Sequence, residues 1–217
     1  MSSAPAPESP VDSSLVLAAR EGDRAAFGGL YARYARMVHG ILLARVPAND
    51  VDDLVQDVFL RALDRLGGLR EVSRFGPWLA AITRNCANDY HRQNRAVVAV
   101  TESLSEDEED LPAASAAPDR EAAMILALVR SLSEAYCEPL ILRLVEGMTG
   151  PEIAARTGLT PGSVRVNLHR GMQKLRERLN QASLGDAIRR DSSSGENSAG
   201  PAKKAQAKNL FGRRNEP

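Results

Sequence analysis

Between Ala96 and Asp119 the chain carries Glu102, Glu106, Asp107, Glu108, Glu109 and Asp110, and then runs Leu-Pro-Ala-Ala-Ser-Ala-Ala-Pro. Clustered like charges repel, and prolines interrupt the helix that alanine would favour, so such a stretch neither packs nor stays helical. A chain of 217 residues divided this way folds as two small units. They are expected over residues 13–96 and 121–180, joined by a flexible acidic linker over 97–120. Residues 1–12 and 181–217 are rich in Ser, Pro, Ala and Gly or in Lys and Arg, lack apolar periodicity, and are expected to be disordered.

Neither unit contains an alternating Val/Ile/Thr run, whereas four or more segments repeat apolar residues at three and four, so the expected fold is all-α. In the first unit Asp23 caps a helix carrying Phe27, Leu30, Tyr31, Tyr34, Val38, Ile41 and Leu42, which ends before Pro47. Asn49 caps the next, Asp50, Asp52 and Asp53 sit on its positive dipole end, and Gly67-Gly68 stop it. Its buried stripe is Val51, Leu54, Val55, Val58, Phe59, Ala62, Leu63 and Leu66. At 100° per residue Leu60 falls opposite that stripe, among Asp53, Gln56, Asp57 and Asp64. It is either a stray surface leucine or a docking point for a basic or amphipathic partner helix. After the connector Leu69–Arg74, Pro77 opens a helix whose Trp78, Leu79, Ile82, Cys86 and Tyr90 face the core. Arg84, Asn88, Arg92 and Arg95 form a basic stripe along its edge. Cations beside aromatic rings suit single-stranded nucleic acid, although a tryptophan in the position of Trp78 is more often a core residue. Asp89 lies in the apolar arc and needs a partner, Arg92 or Asn85 being nearest.

In the second unit, Ala123–Leu132 and Ala135–Glu146 read as helices, followed by two short ones with explicit caps. Thr149-Gly150-Pro151-Glu152 is a capping box, and Thr160-Pro161 caps the last. Ala154 is small enough for two helices to cross, Gly158 takes a left-handed turn, and Val164 packs back beneath the pair, which is the spacing of a helix-turn-helix. Ser163, Arg165, Val166, Asn167, His169, Arg170 and Lys174 face outward, where arginine reads guanine edges and asparagine reads adenine in a major groove.

Charge agrees with a polyanionic partner. The formal net charge is zero only because −7 over residues 100–121 and −2 over residues 1–14 offset +3 in each of 15–99, 122–180 and 181–217. The longest apolar run, Ala122–Val129, is far short of the roughly 18 residues of a membrane span, so the chain is expected to be soluble and cytoplasmic, without membrane insertion. Cys86 and Cys137 read as small buried apolar residues. No phosphate loop, metal-binding histidine pair or nucleophile–base set is present, so the expectation is a non-enzyme with no cofactor and no metal.

Two blocks resemble the extracytoplasmic-function (ECF) sigma factors of bacterial RNA polymerase, in the sigma-70 family. One is Asp52–Ala62 with Phe75-Gly76-Pro77-Trp78-Leu79, Ile82, Asn85, Asp89 and Arg92; the other runs from Val145-Glu146-Gly147-Met148 through Glu152-Ile153-Ala154 and Gly158 to Leu168-His169-Arg170. The resemblance implies that Asp53, Gln56, Asp57 and Leu60 dock on a coiled coil of the polymerase clamp subunit. It implies that Leu69, Arg70, Ser73, Arg74, Trp78, Asn85 and Arg92 meet the single strand of the minus-ten element, where an extruded base is captured. Thr160, Ser163, Arg165, Val166, Asn167, His169, Arg170 and Lys174 would read the duplex minus-thirty-five element. Core RNA polymerase, including its flap region, promoter DNA and an anti-sigma factor are the implied partners. Asn167, Val166 and Gly171 depart from the family pattern, and Gly171 would loosen the recognition helix by about 1 kcal/mol. The rival readings are a stand-alone helix-turn-helix regulator of operator DNA and a thiol redox sensor built on Cys86 and Cys137.

Overall fold

Buried polar pairs and caps decide where the helices of this chain begin, as a computed structural model shows for the backbone of residues 10–101 and 117–194 and the side chains of 11–95 and 122–181. Eight α-helices are described: α1 Pro10–Arg20, α2 Arg24–Leu43, α3 Val51–Arg65, α4 Phe75–Thr101, α5 Ala117–Arg130, α6 Glu134–Leu144, α7 Gly150–Thr157 and α8 Pro161–Ser194. Short 3₁₀ turns at Ala48–Asp50, Leu66–Gly68 and Val72–Arg74 connect the first four. No strand occurs among the described residues.

The first unit starts earlier than its composition suggests. Pro10–Asp12 belong to α1 rather than to a disordered leader. Asp12 is buried, accepts from the Tyr34 hydroxyl at 3.0 Å and pairs with Arg33 at 2.5 Å, so α1 is held by tertiary partners that no local pattern reveals. Asp23 caps α2 by accepting from the Ala25 and Ala26 amides. Asn49 does not cap α3: it lies in the 3₁₀ turn, and Asp50 at the cap position spends its carboxylate on the Tyr90 hydroxyl at 2.6 Å. The α3 stripe is buried at Val51, Val55, Val58, Phe59 and Ala62, but Leu63 is 45% exposed. Helix α4 begins at Phe75, so Pro77 is its third residue, still within the turn whose amides have no intrahelical acceptor. Tyr34 and Phe75 fill the centre of this bundle edge-to-face, with ring centroids 5.0 Å apart.

The expected linker is shortened from both sides, because α4 continues to Thr101 and α5 begins at Ala117; its acidic core, 102–116, lies outside the described residues. The expected tail is likewise helical as far as Ser194, and its Lys203, Lys204, Lys208, Leu210, Phe211, Arg213 and Arg214 lie outside the described residues. In the second half the capping box forms as anticipated, with Thr149 accepting from the Glu152 amide and Glu152 accepting from the Thr149 amide at 2.7 Å. The bond from the Thr149 amide, and then that from the Thr149 hydroxyl, which donates to the same carboxylate at 2.7 Å, hold the Glu152 carboxyl below its ordinary range. Gly158 closes α7 at φ +79°, a conformation that side chains resist, and Thr160 caps α8 by accepting from the Ser163 amide at 3.1 Å. Leu140, Ile141, Leu142, Ile153 and Val164 form the local core. The two halves do not stand apart: α2 and α4 pack against α6 and α7, and the described residues as far as Glu177 form one compact unit.

Candidate polymerase-docking and nucleic-acid-binding surfaces

Helix α3 buries one face and turns Asp53, Gln56, Asp57 and Leu60 to solvent. Leu60 is 62% exposed, and Leu63, three residues on, extends the apolar surface beside it. An exposed leucine ringed by carboxylates offers a partner helix both an apolar anchor and a charge of one sign. Behind this face, Arg61 donates to Asp89 at 3.0 Å, and Asp89 also pairs with Arg92. The hydrogen bond from Arg92, and then that from Arg61, hold the Asp89 carboxyl below its ordinary value.

The connector and α4 present a more divided picture. Arg70, Arg74, Asn85 and Arg92 are exposed and Ser73 is half-buried, its hydroxyl donating to Glu71 at 3.2 Å. Leu69 is buried, so its side chain anchors the connector to the bundle rather than facing a strand. Trp78 is half-buried, with its ring 5.7 Å from that of Phe75. Leu79, Ile82 and Cys86 are buried as expected, whereas Tyr90 is half-exposed. Arg84 leaves the basic stripe: both arms of its guanidinium are bonded to Glu138. Periodicity places Arg84 on the stripe but carries no signal for a partner 54 residues away.

On the helix-turn-helix, Thr160, Ser163, Arg165, Val166, His169, Arg170 and Lys174 are exposed and Asn167 is half-buried. The Thr160 and Ser163 hydroxyls are bonded to each other at 2.8 Å as part of the cap, so they shape the entry of α8. Leu168 and Met172 are not fully buried; with Leu140, Arg143, His169 and Gln173 they line an open cleft of about 460 Å³. Gly171 has a packing reason. A Cβ there would meet Leu140 Cδ1 at 3.0 Å and Tyr136 Cβ at 3.1 Å, so glycine lets α8 approach α6 closely. Cys86 and Cys137 are buried thiols, both pushed up by burial, which disfavours the reactive thiolate. Among the described residues no cluster of His, Cys, Asp or Glu could hold a metal, and no helix is long and apolar enough to cross a membrane.

An acidic helix with an exposed leucine, an arginine-bearing helix that carries a half-buried tryptophan, and a capped helix-turn-helix together are the features of a DNA-binding protein. Residues 30–97 match the sigma-70 region 2 family and residues 122–175 match sigma-70 region 4. The chain is 36% identical over 170 residues to the RNA polymerase sigma factor CarQ of Myxococcus xanthus, covering 76% of this chain and 95% of that protein. It is 33% identical over 166 residues to the ECF RNA polymerase sigma factor BldN of Streptomyces coelicolor, covering 74% of this chain and 63% of that longer protein. Its fold is similar to CnrH in complex with the cytosolic domain of CnrY, with a TM-score of 0.56 and 28% identity over 79% of this chain and 98% of CnrH. The chain belongs to the ECF sigma factors of the sigma-70 family.

Proposed function

We propose that the chain binds core RNA polymerase in the cytoplasm, directs it to a two-part promoter and assists strand separation. The observation that carries this reading is the succession of matched region 2 and region 4 in one chain. Asp53, Gln56, Asp57 and Leu60 dock on the clamp coiled coil, with Leu60 as apolar anchor. Arg70, Arg74, Trp78, Asn85 and Arg92 hold the melted minus-ten strand; cations follow the phosphates and the indole supports an unstacked base. Leu69 and Ser73 serve this surface by setting the connector's path. Arg165, Val166, Asn167, His169, Arg170 and Lys174 read the minus-thirty-five duplex, with Thr160 and Ser163 fixing the end of α8 that enters the groove. Residues 102–116 tether the halves, and their acidity suits a basic channel in the polymerase. The complex of CnrH with CnrY supports an anti-sigma partner for this chain as well.

The test is transcription in vitro on genomic DNA with core polymerase, with start sites mapped. New starts that require the chain and share two spaced elements are expected. Identical starts with and without it would refute the reading.

A further inference from the structure

The connector between α3 and α4 rests on a helix that precedes the matched region. Residues 30–97 match region 2, whereas α1 spans Pro10–Arg20. Helix α1 nevertheless packs against both 3₁₀ turns of the connector, Leu66–Gly68 and Val72–Arg74. From its last residue, Arg20 Nε donates to the Leu66 carbonyl, 46 residues away in the chain, at 3.1 Å. The same carbonyl accepts from the Leu69 amide at 3.2 Å, so one oxygen both closes the Leu66–Gly68 turn and receives α1. It is among the carbonyls that the end of α3 leaves without an intrahelical donor, and a guanidinium there complements the negative end of the helix dipole. Buried Leu66 and Leu69 anchor the turn at its two ends, but Gly67 and Gly68 between them have open space where a Cβ would stand, so no side chain steadies the middle. Helix α1 is itself firmly held: Val16 and Ala19 are buried, and Asp12 accepts from the Tyr34 hydroxyl at 3.0 Å. Arg20 is not placed to bind a strand directly. Its Nη2 is shielded from solvent, without a hydrogen-bond partner among the described residues, and its Nε is spent on Leu66, so neither nitrogen meets a phosphate.

We propose that α1 braces the strand-binding connector and that Arg20 is its positioning residue: the Nε–H on the Leu66 carbonyl fixes where the chain leaves α3, and with it where Arg70 and Arg74 stand for the melted strand. The inference rests on the sigma-factor reading for what the connector binds. Arg70 and Arg74 are exposed, and they follow the two glycines in a segment that has only short turns of its own. A connector free to swing would have to be ordered at the moment of capture, and that entropy cost subtracts from affinity. Holding it beforehand, at Leu66 and along Val72–Arg74, removes part of the cost. The acceptor is a carbonyl, so the requirement at residue 20 is an N–H donor in that place and not a positive charge.

Arg20→Met and Arg20→Gln in the full chain separate the bond from the charge. Both remove the charge; glutamine sets an amide nitrogen as many bonds from Cα as Nε, and methionine sets a methyl there. Each protein is bound to core polymerase and titrated against a labelled single-stranded oligodeoxynucleotide carrying the upstream non-template sequence of a mapped start, while hydrogen exchange follows the amides of 66–74. Arg20→Met should weaken strand binding about tenfold and speed exchange in 66–74 with core affinity unchanged within about twofold, whereas Arg20→Gln should stay within about threefold of wild type in each measurement. Wild-type strand binding by Arg20→Met would overturn the proposal, as would an equal loss in both variants, which would make the charge the active feature. Loss of core affinity alongside strand binding in Arg20→Met would make Arg20 a residue of the fold and overturn it too. If Arg20→Met does not fold, Arg20→Gln decides: strand binding and exchange near wild type uphold the bond, and a loss like that expected of Arg20→Met refutes it. Wild-type chain that binds core and starts at mapped promoters, with Arg20→Met unaffected, sinks the brace alone; wild-type chain that fails to bind core sinks the sigma-factor reading.

Discussion

Gly171→Ala sets helix propensity against tertiary packing, and the two predict opposite signs. Alanine is favoured over glycine inside a helix by about 1 kcal/mol. At Gly171, however, the new methyl would stand 3.0 Å from Leu140 Cδ1, 3.1 Å from Tyr136 Cβ and 3.2 Å from Leu140 Cγ. Two of these atoms lie at the base of their side chains, and Leu140 is fully buried, so neither neighbour has room to retreat. Overpacking of this kind costs about 1–3 kcal/mol, which leaves a net loss of about 1 kcal/mol. For a chain of this size that lowers Tm by about 2–4 °C. Gly28→Ala is the control: Gly28 lies within α2, its Cβ would have nothing within 4 Å, and the change should raise Tm by a similar amount. Thermal unfolding followed by circular dichroism at pH 7 compares the three proteins. A Gly171→Ala protein that gains as much as Gly28→Ala would refute the packing argument.

Leu60→Glu should abolish core-polymerase binding in a pull-down while leaving Tm within about 2 °C of wild type, since Leu60 is 62% exposed and outside the core; retained binding would disqualify this face. Arg165→Ala or Arg170→Ala should weaken transcription from a promoter with an intact upstream element and leave one with that element scrambled unaffected, each lost base contact costing about 1–3 kcal/mol. Tyr34→Phe removes the hydroxyl that donates to buried Asp12 and should cost about 1–3 kcal/mol in denaturant unfolding, whereas a neutral result would show that Arg33 alone satisfies the carboxylate. His39 carries a pH dependence. Its hydrogen bond to Glu146 raises its pKa above the ordinary imidazole value against a smaller opposing effect of burial, with the charges of Glu146 and Asp52 adding to the rise and Arg36 lying 3.9 Å from the same Glu146. A raised folded pKa means a contribution fully present below about pH 6.5 and lost as pH climbs through the folded value. The Tm difference between wild type and His39→Gln should therefore shrink across that interval, and a constant difference would exclude the linkage.

The amino-acid sequence by itself determined the helical class, the caps at Asp23, Thr149 and Thr160, the turn at Gly158 and the outward position of Leu60. Each depends on residues within one or two turns, where spacing alone decides which groups meet. The matched regions 2 and 4 then account for the family from local pattern as well. What only the tertiary structure decided involves partners distant along the chain. Asp12 orders α1 through Tyr34 and Arg33, Asp50 gives up its cap to Tyr90, Leu69 turns inward, and Arg84 is withdrawn from the basic stripe by Glu138. Gly171 belongs with them, because a glycine demanded by a neighbouring helix is indistinguishable, within its own helix, from one that merely weakens it. Periodicity specifies which face of a helix is buried; it carries no information about which of several buried or charged surfaces it is buried against, and in this chain that choice brings the two halves together.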